Sequence, residues 1–188
     1  MAITYANSWV EICNRALGRL GKGRISDLTT GGDLVEYCNL YLGEAIEYIL
    51  SLKHWTVLKT RIQLAIESGT PVYEFDFSYA LPTDLIDLVS VDSQSEPYSI
   101  EGNSLLSDAD EVYIVYIKRP VDPSVLPGYI KRAISTYLAY LLTTPLTVSD
   151  QLLGILAAAM QASLEDAIRA DGKREYQEPD DEWYEASR

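Results

Sequence analysis

Few side chains of this sequence could carry out chemistry. His54 is the only imidazole, and it precedes Trp55. We interpret His54 as a polar residue at the end of a helix rather than as a general base. Cys13 and Cys38 fall at apolar positions of predicted helices, where a free thiol packs as a small hydrophobic group. Two cysteines and one histidine do not form a zinc site, so we predict neither a cofactor nor a catalytic residue.

Carboxylates are plentiful but do not form a specific motif. Asp108, Asp110 and Glu111 offer hard oxygen ligands, yet they lack the spacing and the glycine of a calcium loop. We interpret them as turn residues that cap backbone amides. Hydrolysis by a pair of carboxylates needs two acids at a suitable distance in a cleft, and 28 acidic residues could supply one anywhere. A carboxylate-dependent cell-wall hydrolase therefore remains an alternative.

The C-terminal residues 172–188 combine acidic and aromatic side chains without apolar periodicity, which predicts a tail. An acidic run is usually a solvated surface, but exposed aromatic side chains favour docking on a basic partner surface. Both interpretations stay open at this point. The docking hypothesis assigns the contacts to Tyr176, Asp180, Asp181, Glu182, Trp183 and Tyr184.

Length and charge limit the classes of function. A chain of 188 residues fits one domain, and its formal charge of −13 disfavours a protein that grips nucleic acid. No apolar run is long enough to cross a bilayer, so we predict a soluble protein made in the cytoplasm. With 14 tyrosines against two phenylalanines, the composition favours assembly interfaces. An acidic regulatory binding module of the cytosol is a further alternative.

Helical periodicity identifies the elements that must position these residues. Residues 33–55 form the longest amphipathic stretch, and Asp33 is expected to cap its first turn. Ser8 and Glu11 have the spacing of a capping box, which predicts a first helix from Ser8. A third helix is expected from Tyr129 to before Pro145, and a fourth begins at Ser149 or Asp150. The residues of the fourth helix that we expect to face inwards are Leu153, Leu156, Met160, Leu164, Ala167 and Ile168.

The section between the second and third helices is rich in β-formers. Strands are predicted at residues 57–66, 72–77, 85–91, 98–100 and 112–117. The fold class that follows is mainly α, of the α+β type: a four-helix core with an inserted small antiparallel sheet and an extended C-terminal tail. The helical core takes residues 1–55 and 125–171, the β-rich insertion takes 56–120, and the tail takes 172–188.

Several short motifs together resemble a known family. Residues 12–21 read ICNRALGRLG and residues 24–28 read RISDL, with Gly21 at the end of the first motif. Trp55 follows the long second helix, residues 79–84 read YALPTD around Pro82, and residues 98–102 read YSIEG and end at Gly102. Residues 105–108 read LLSD. In this order and spacing the motifs resemble the phage head-to-tail adaptors, the tail tubular protein A or connector proteins of short-tailed phages.

The resemblance implies a virion structural protein and not an enzyme. Such adaptors form a dodecameric ring between the portal protein and the tail nozzle, and the ring extends the DNA channel for genome retention and ejection. The implied partners are therefore the portal, the next tail protein and further copies of the chain. DNA passes through without specific binding, and no membrane is involved. The chain would reside at the head–tail junction, with its tail docked on the portal or on a neighbouring subunit.

Overall fold

The computed structural model describes residues 8–69, 71–146 and 149–174. Within these ranges four α-helices and six strands follow one another along the chain. The helices are α1 (Trp9–Arg19), α2 (Asp33–Ser51), α3 (Gly128–Leu141) and α4 (Asp150–Gly172). The strands, all between α2 and α3, are β1 (Lys59–Gln63), β2 (Phe77–Ala80), β3 (Leu85–Asp92), β4 (Tyr98–Glu101), β5 (Ser104–Ser107) and β6 (Tyr113–Lys118).

The strands form two antiparallel sheets of three strands each. Sheet A has the order β1-β6-β3, and sheet B has the order β2-β5-β4. In sheet A, Lys59 lies opposite Ile117; in sheet B, Phe77 and Tyr98 flank Ser107 from either side. The chain passes from one sheet to the other after β1, because Ile66 forms an antiparallel bridge with Tyr79 at the edge of sheet B.

The buried side chains form two clusters, and strand β6 separates them. Ile117 on one face of β6 joins the helical cluster, which contains Leu17, Ile49 and Ile134. Ile114, three residues away on the other face, joins the cluster between the sheets. Sheet A therefore lies between the helices and sheet B. The division into a helical core and a β insertion remains a prediction, but the contacts between helices and sheet A cross that boundary.

The predicted fold class is wrong. The expected structure was a mainly α form of the α+β class with one small sheet, whereas the described residues form four helices and two three-stranded antiparallel sheets. Strand β5 was absent from the prediction, and it forms the centre of sheet B. The expected strand at residues 72–77 does not form; Val72 is fully exposed, and the strand begins only at Phe77. Residues 72–76 have no partner strand, and β-forming side chains alone do not stabilise an unpaired strand.

The helix starts agree with the sequence better than the helix ends do. The Ser8 hydroxyl accepts a hydrogen bond from the Glu11 amide, and the Ser149 hydroxyl accepts one from the Leu152 amide, which confirms both expected starts. Helix α2 begins at Asp33, but Gly32 occupies the cap position and no side chain caps this end. The expected capping by Asp33 is therefore wrong.

Two expectations about helix faces and ends are also corrected. Helix α2 ends at Ser51 instead of continuing to Trp55. The chain turns there so that the buried Trp55 indole donates to the Ile49 carbonyl (3.0 Å), one of the carbonyls left unpaired by the helix end. On α4, Leu153 and Ile168 are exposed rather than inward, while Leu156 and Ala167 are buried as expected.

Candidate interaction surfaces

The last turn of α4 is tied to the core through a buried carboxylate. Asp171 has no solvent exposure and lies 3.4 Å from the Lys53 ammonium group. Its oxygens accept hydrogen bonds from the Thr56 amide (3.2 Å), the Thr56 hydroxyl (3.3 Å) and the Tyr129 hydroxyl (3.0 Å). We call Lys53, Thr56, Tyr129 and Asp171 the C-terminal anchor, because they fix the point from which residues 175–188 continue.

Tyr129 has a second role in the anchor. Burial, and then the hydrogen bond to Asp171, raise the pKa of the Tyr129 phenol to about 12. The Arg174 guanidinium lies over the Tyr129 ring, 5.6 Å from its centroid, which is within the range of a cation–π contact. The Tyr129 ring also lies 6.5 Å from the Trp55 ring. Two contacts with Tyr129 thus hold the last described turn of the chain against the start of α3: the hydrogen bond to Asp171 and the cation–π contact with Arg174.

The tail residues predicted to dock lie outside the described residues. These residues are Tyr176, Asp180, Asp181, Glu182, Trp183 and Tyr184. Their contacts remain a prediction. The sequence had not singled out Asp171 as the residue that holds the start of this segment. Its position four residues after the inward-facing Ala167 was the available signal, because an acid in an apolar register must find partners.

Two of the four motif residues have clear local roles near the helices. Trp55 is fully buried in the helical cluster. Gly21 has φ +67° and follows Leu20, the cap residue at the C-terminal end of α1, and the Lys22 amide donates to the Leu17 carbonyl (3.0 Å). This is the glycine-ended helix terminus, in which a left-handed residue lets the chain reverse over the last turn.

The other two motif residues form turns of the β region. Pro82 accepts a hydrogen bond from the Leu85 amide (3.1 Å), which closes the turn that leads into β3. Gly102 has φ +61° and is the first residue of the two-residue turn between β4 and β5. A glycine is favoured there because this hairpin turn needs positive φ at its first central position.

Exposed apolar side chains occur in both the β region and the helical region of the described residues, and Leu40 (66% exposed) and Val121 (89% exposed) are among them. In the β region, the Val72 side chain is fully exposed and Tyr73 is 82% exposed. We call residues 71–75 the β loop tip. In the helical region, Leu153 and Ile155 are exposed in the first turns of α4; because they are two residues apart on a helix, they face different directions. Exposed apolar groups of this size favour contact with another protein surface.

The Glu67 carboxylate links residues at the base of the β loop tip through hydrogen bonds. Glu67 accepts hydrogen bonds from the hydroxyls of Ser78 (2.5 Å) and Ser104 (2.8 Å), and these two bonds lower its pKa. Its amide also donates to the Ser78 carbonyl (2.7 Å). Glu67 was not identified from the sequence, because its partners lie 11 and 37 residues away.

The residues considered for chemistry have ordinary structural partners. His54 lies 3.0 Å from Asp87. Cys13 and Cys38 are free and fully buried; their mutual hydrogen bond, followed by burial, raises the pKa of the Cys13 thiol. Asp108 accepts a hydrogen bond from the Asp76 amide (2.9 Å), so it caps a neighbouring segment rather than its own turn.

Glu111, another of the carboxylates considered as metal ligands, also has a partner. Glu111 accepts a hydrogen bond from the Tyr113 hydroxyl (2.9 Å). Among residues 8–69, 71–146 and 149–174, no group of three or more histidine, cysteine, aspartate and glutamate side chains could hold a metal ion. None of the helices in these ranges is long and apolar enough to span a membrane.

Comparisons with models of known protein families and with curated proteins gave no match for this chain. The main features of the described residues are the C-terminal anchor at the end of α4, the β loop tip with the Glu67 hydrogen bonds at its base, and the exposed Leu153 and Ile155 near the start of α4.

Proposed function

We propose that this chain is a virion structural protein: a head-to-tail adaptor that forms a ring between the portal and the tail nozzle and extends the DNA channel. The proposal takes its specific content from the resemblance of the sequence motifs. Gly21, Trp55, Pro82 and Gly102, the residues that carry those motifs, occupy turn, helix-end and core positions, so the motifs also have a structural meaning in this fold.

The observation that carries the proposal is that both the β region and the helical region of the described residues expose apolar side chains. An adaptor must contact a different partner at each end. The β loop tip with Val72 and Tyr73 suits one partner, and the helical region with Leu153 and Ile155 suits another or a second copy of the chain. Exposed apolar groups on a single face would instead favour one binary interface.

The C-terminal anchor supports the expected docking of the tail. A segment that must reach a portal needs a fixed starting point, because a shorter mobile length loses less entropy on binding. The buried Asp171 provides such a point three residues before Arg174, the last described residue. Docking by Tyr176, Trp183 and Tyr184 would then begin immediately beyond the anchored turn.

The acidic composition agrees with a channel that DNA crosses. A formal charge of −13 on each subunit gives a ring with a strongly negative field, and such a field repels a polyanion rather than retaining it. The chain would thus contribute a passage for DNA and not a binding site for it.

Co-sedimentation with the portal ring of the same virus tests the proposal. Full-length protein is compared with a chain that ends at Arg174, which retains the C-terminal anchor and the Arg174–Tyr129 contact. We expect one copy of the full-length chain for each portal subunit and loss of binding on truncation. A W183A/Y184A variant should also lose binding. If neither the full-length chain nor any variant binds while all remain folded, the adaptor proposal is wrong.

A further inference from the structure

Three arginines lie together on this otherwise acidic chain. Arg15 and Arg19 of α1 and Arg132 of α3 line a surface depression of about 540 Å³ together with Gly18, Gly128 and Ser135. Partial burial, and then the positive charges of Arg132 and Arg15, lower the pKa of Arg19. The three guanidinium groups are therefore close enough to repel one another. We call Arg15, Arg19 and Arg132 the arginine patch.

The described residues neutralise this patch only in part. Arg132 has an ion pair with Asp166 at 3.8 Å, and Asp166 also lies 3.8 Å from Arg169. Both side chains of the Arg132–Asp166 pair are more than half exposed, so the pair is weak. Within residues 8–69, 71–146 and 149–174, neither Arg15 nor Arg19 lies within ion-pair distance of a carboxylate.

The acidic end of the chain starts close to the patch. Arg174 lies over the ring of Tyr129, and Tyr129 is one helical turn before Arg132 on α3. Residues 178–185 contain Glu178, Asp180, Asp181, Glu182 and Glu185. An extended chain gains about 3.3 Å per residue, so residues 180–182 can reach roughly 20–26 Å from Arg174. This length is sufficient to bring several carboxylates to the arginine patch.

We propose that the arginine patch is a carboxylate-binding site whose ligand is the acidic segment 178–185 of the same chain. Arginine suits this ligand because its planar guanidinium group can donate two parallel hydrogen bonds to a carboxylate. The contact holds Trp183 and Tyr184 on their own subunit until a partner surface displaces them. This contact does not depend on the adaptor function, since it forms in the free subunit.

Proteolysis of the full-length chain tests the contact. A protease that cuts after glutamate should cleave slowly at Glu182 and Glu185 while the segment is bound; Glu178 does not serve as a site because Pro179 follows it. In an R15Q/R19Q variant we expect cleavage at these sites to be about five to ten times faster, because two exposed charge contacts are lost. Salt at roughly 0.5 M should have a similar effect on the unmodified protein, since it screens exposed charges.

The matched control is R61Q/R119Q, which removes two arginines from the β region and leaves the patch intact. Its cleavage rate should equal that of the unmodified protein. Circular dichroism confirms that each variant is folded, and an R15K/R19K variant, which retains the charges, should keep most of the protection. Equal rates for R15Q/R19Q and its control would overturn the proposal. Protection that increases with protein concentration would also overturn it, because it would assign the segment to a neighbouring copy.

Discussion

Replacing Asp171 with alanine should destabilise the whole fold. The carboxylate is fully buried, accepts three hydrogen bonds and lies 3.4 Å from the Lys53 ammonium group. Its removal leaves the Lys53 charge, the Thr56 amide and the Tyr129 hydroxyl without their partner. Losing these hydrogen bonds to a buried charged group, together with the ion pair, should cost about 3–5 kcal/mol. At about 2–4 °C per kcal/mol for a chain of this size, Tm should fall by roughly 6–20 °C.

Urea denaturation followed by tryptophan fluorescence measures this loss, because Trp55 packs beside Tyr129. The matched control is D166A on the same helix. Asp166 is 53% exposed and its ion pairs with Arg132 and Arg169 are long, at 3.8 Å, so its removal should cost less than about 1 kcal/mol.

A double-mutant cycle with K53A separates the ion pair from the hydrogen bonds. Lys53 is 20% exposed, which weakens its charge interaction by solvent screening, and we expect a coupling of about 1 kcal/mol with Asp171. The rest of the loss in unfolding free energy should still be seen when K53A/D171A is compared with K53A. If D171A costs less than about 1 kcal/mol, or no more than D166A, the buried hydrogen-bond network does not stabilise the fold and the reasoning is refuted.

Four further predictions concern single positions. W55A should lose about 3–5 kcal/mol in the same urea assay, because it empties a fully buried site in the helical core. G21A should lose about 1 kcal/mol because φ is +67° there, while G23A, with no such backbone constraint, serves as its control. S8A should lose about 1 kcal/mol by removing the hydroxyl that caps α1. The pKa of Tyr129 is raised from 10 to about 12 in the folded state. The stability that this shift contributes is therefore complete below pH 10 and is lost as the pH rises towards 12. The free energy of unfolding measured over this pH range should decline less in Y129F than in the unmodified protein.

The sequence was a good guide to the helices because their signals are local. Ser8 with Glu11 and Ser149 before Leu152 place hydroxyl groups where the first helical amides need acceptors, and the structure uses both. Buried residues of α2 such as Cys38, Leu42 and Ile49 follow the apolar period that predicted this helix. Such patterns depend on residues three or four positions apart, and tertiary contacts did not override them.

The sequence was a poorer guide to the sheets because their signals depend on pairing. Strands β4 and β5 have only four residues each, and both begin or end with polar groups. They form because Gly102 turns the chain and brings Ile100 opposite Leu105, whereas Val72 and Tyr73 have equal β propensity but no partner strand. A strand's existence thus depends on its neighbour, which a single segment does not reveal.

The C-terminal anchor was also not predicted from the sequence, because its residues are even farther apart along the chain. The hydrogen-bonded residues Thr56 and Asp171 are 115 positions apart, and Tyr129 and Asp171 are 42 apart. Sequence periodicity could show that an acid stands in an apolar register of α4, but not which donors surround it. The donors come from the end of α2, the start of the β region and the start of α3. One carboxylate joins all these elements to α4. Its loss should therefore lower the Tm of the single cooperative unfolding transition of the whole domain. Fraying of α4 alone would leave that Tm unchanged.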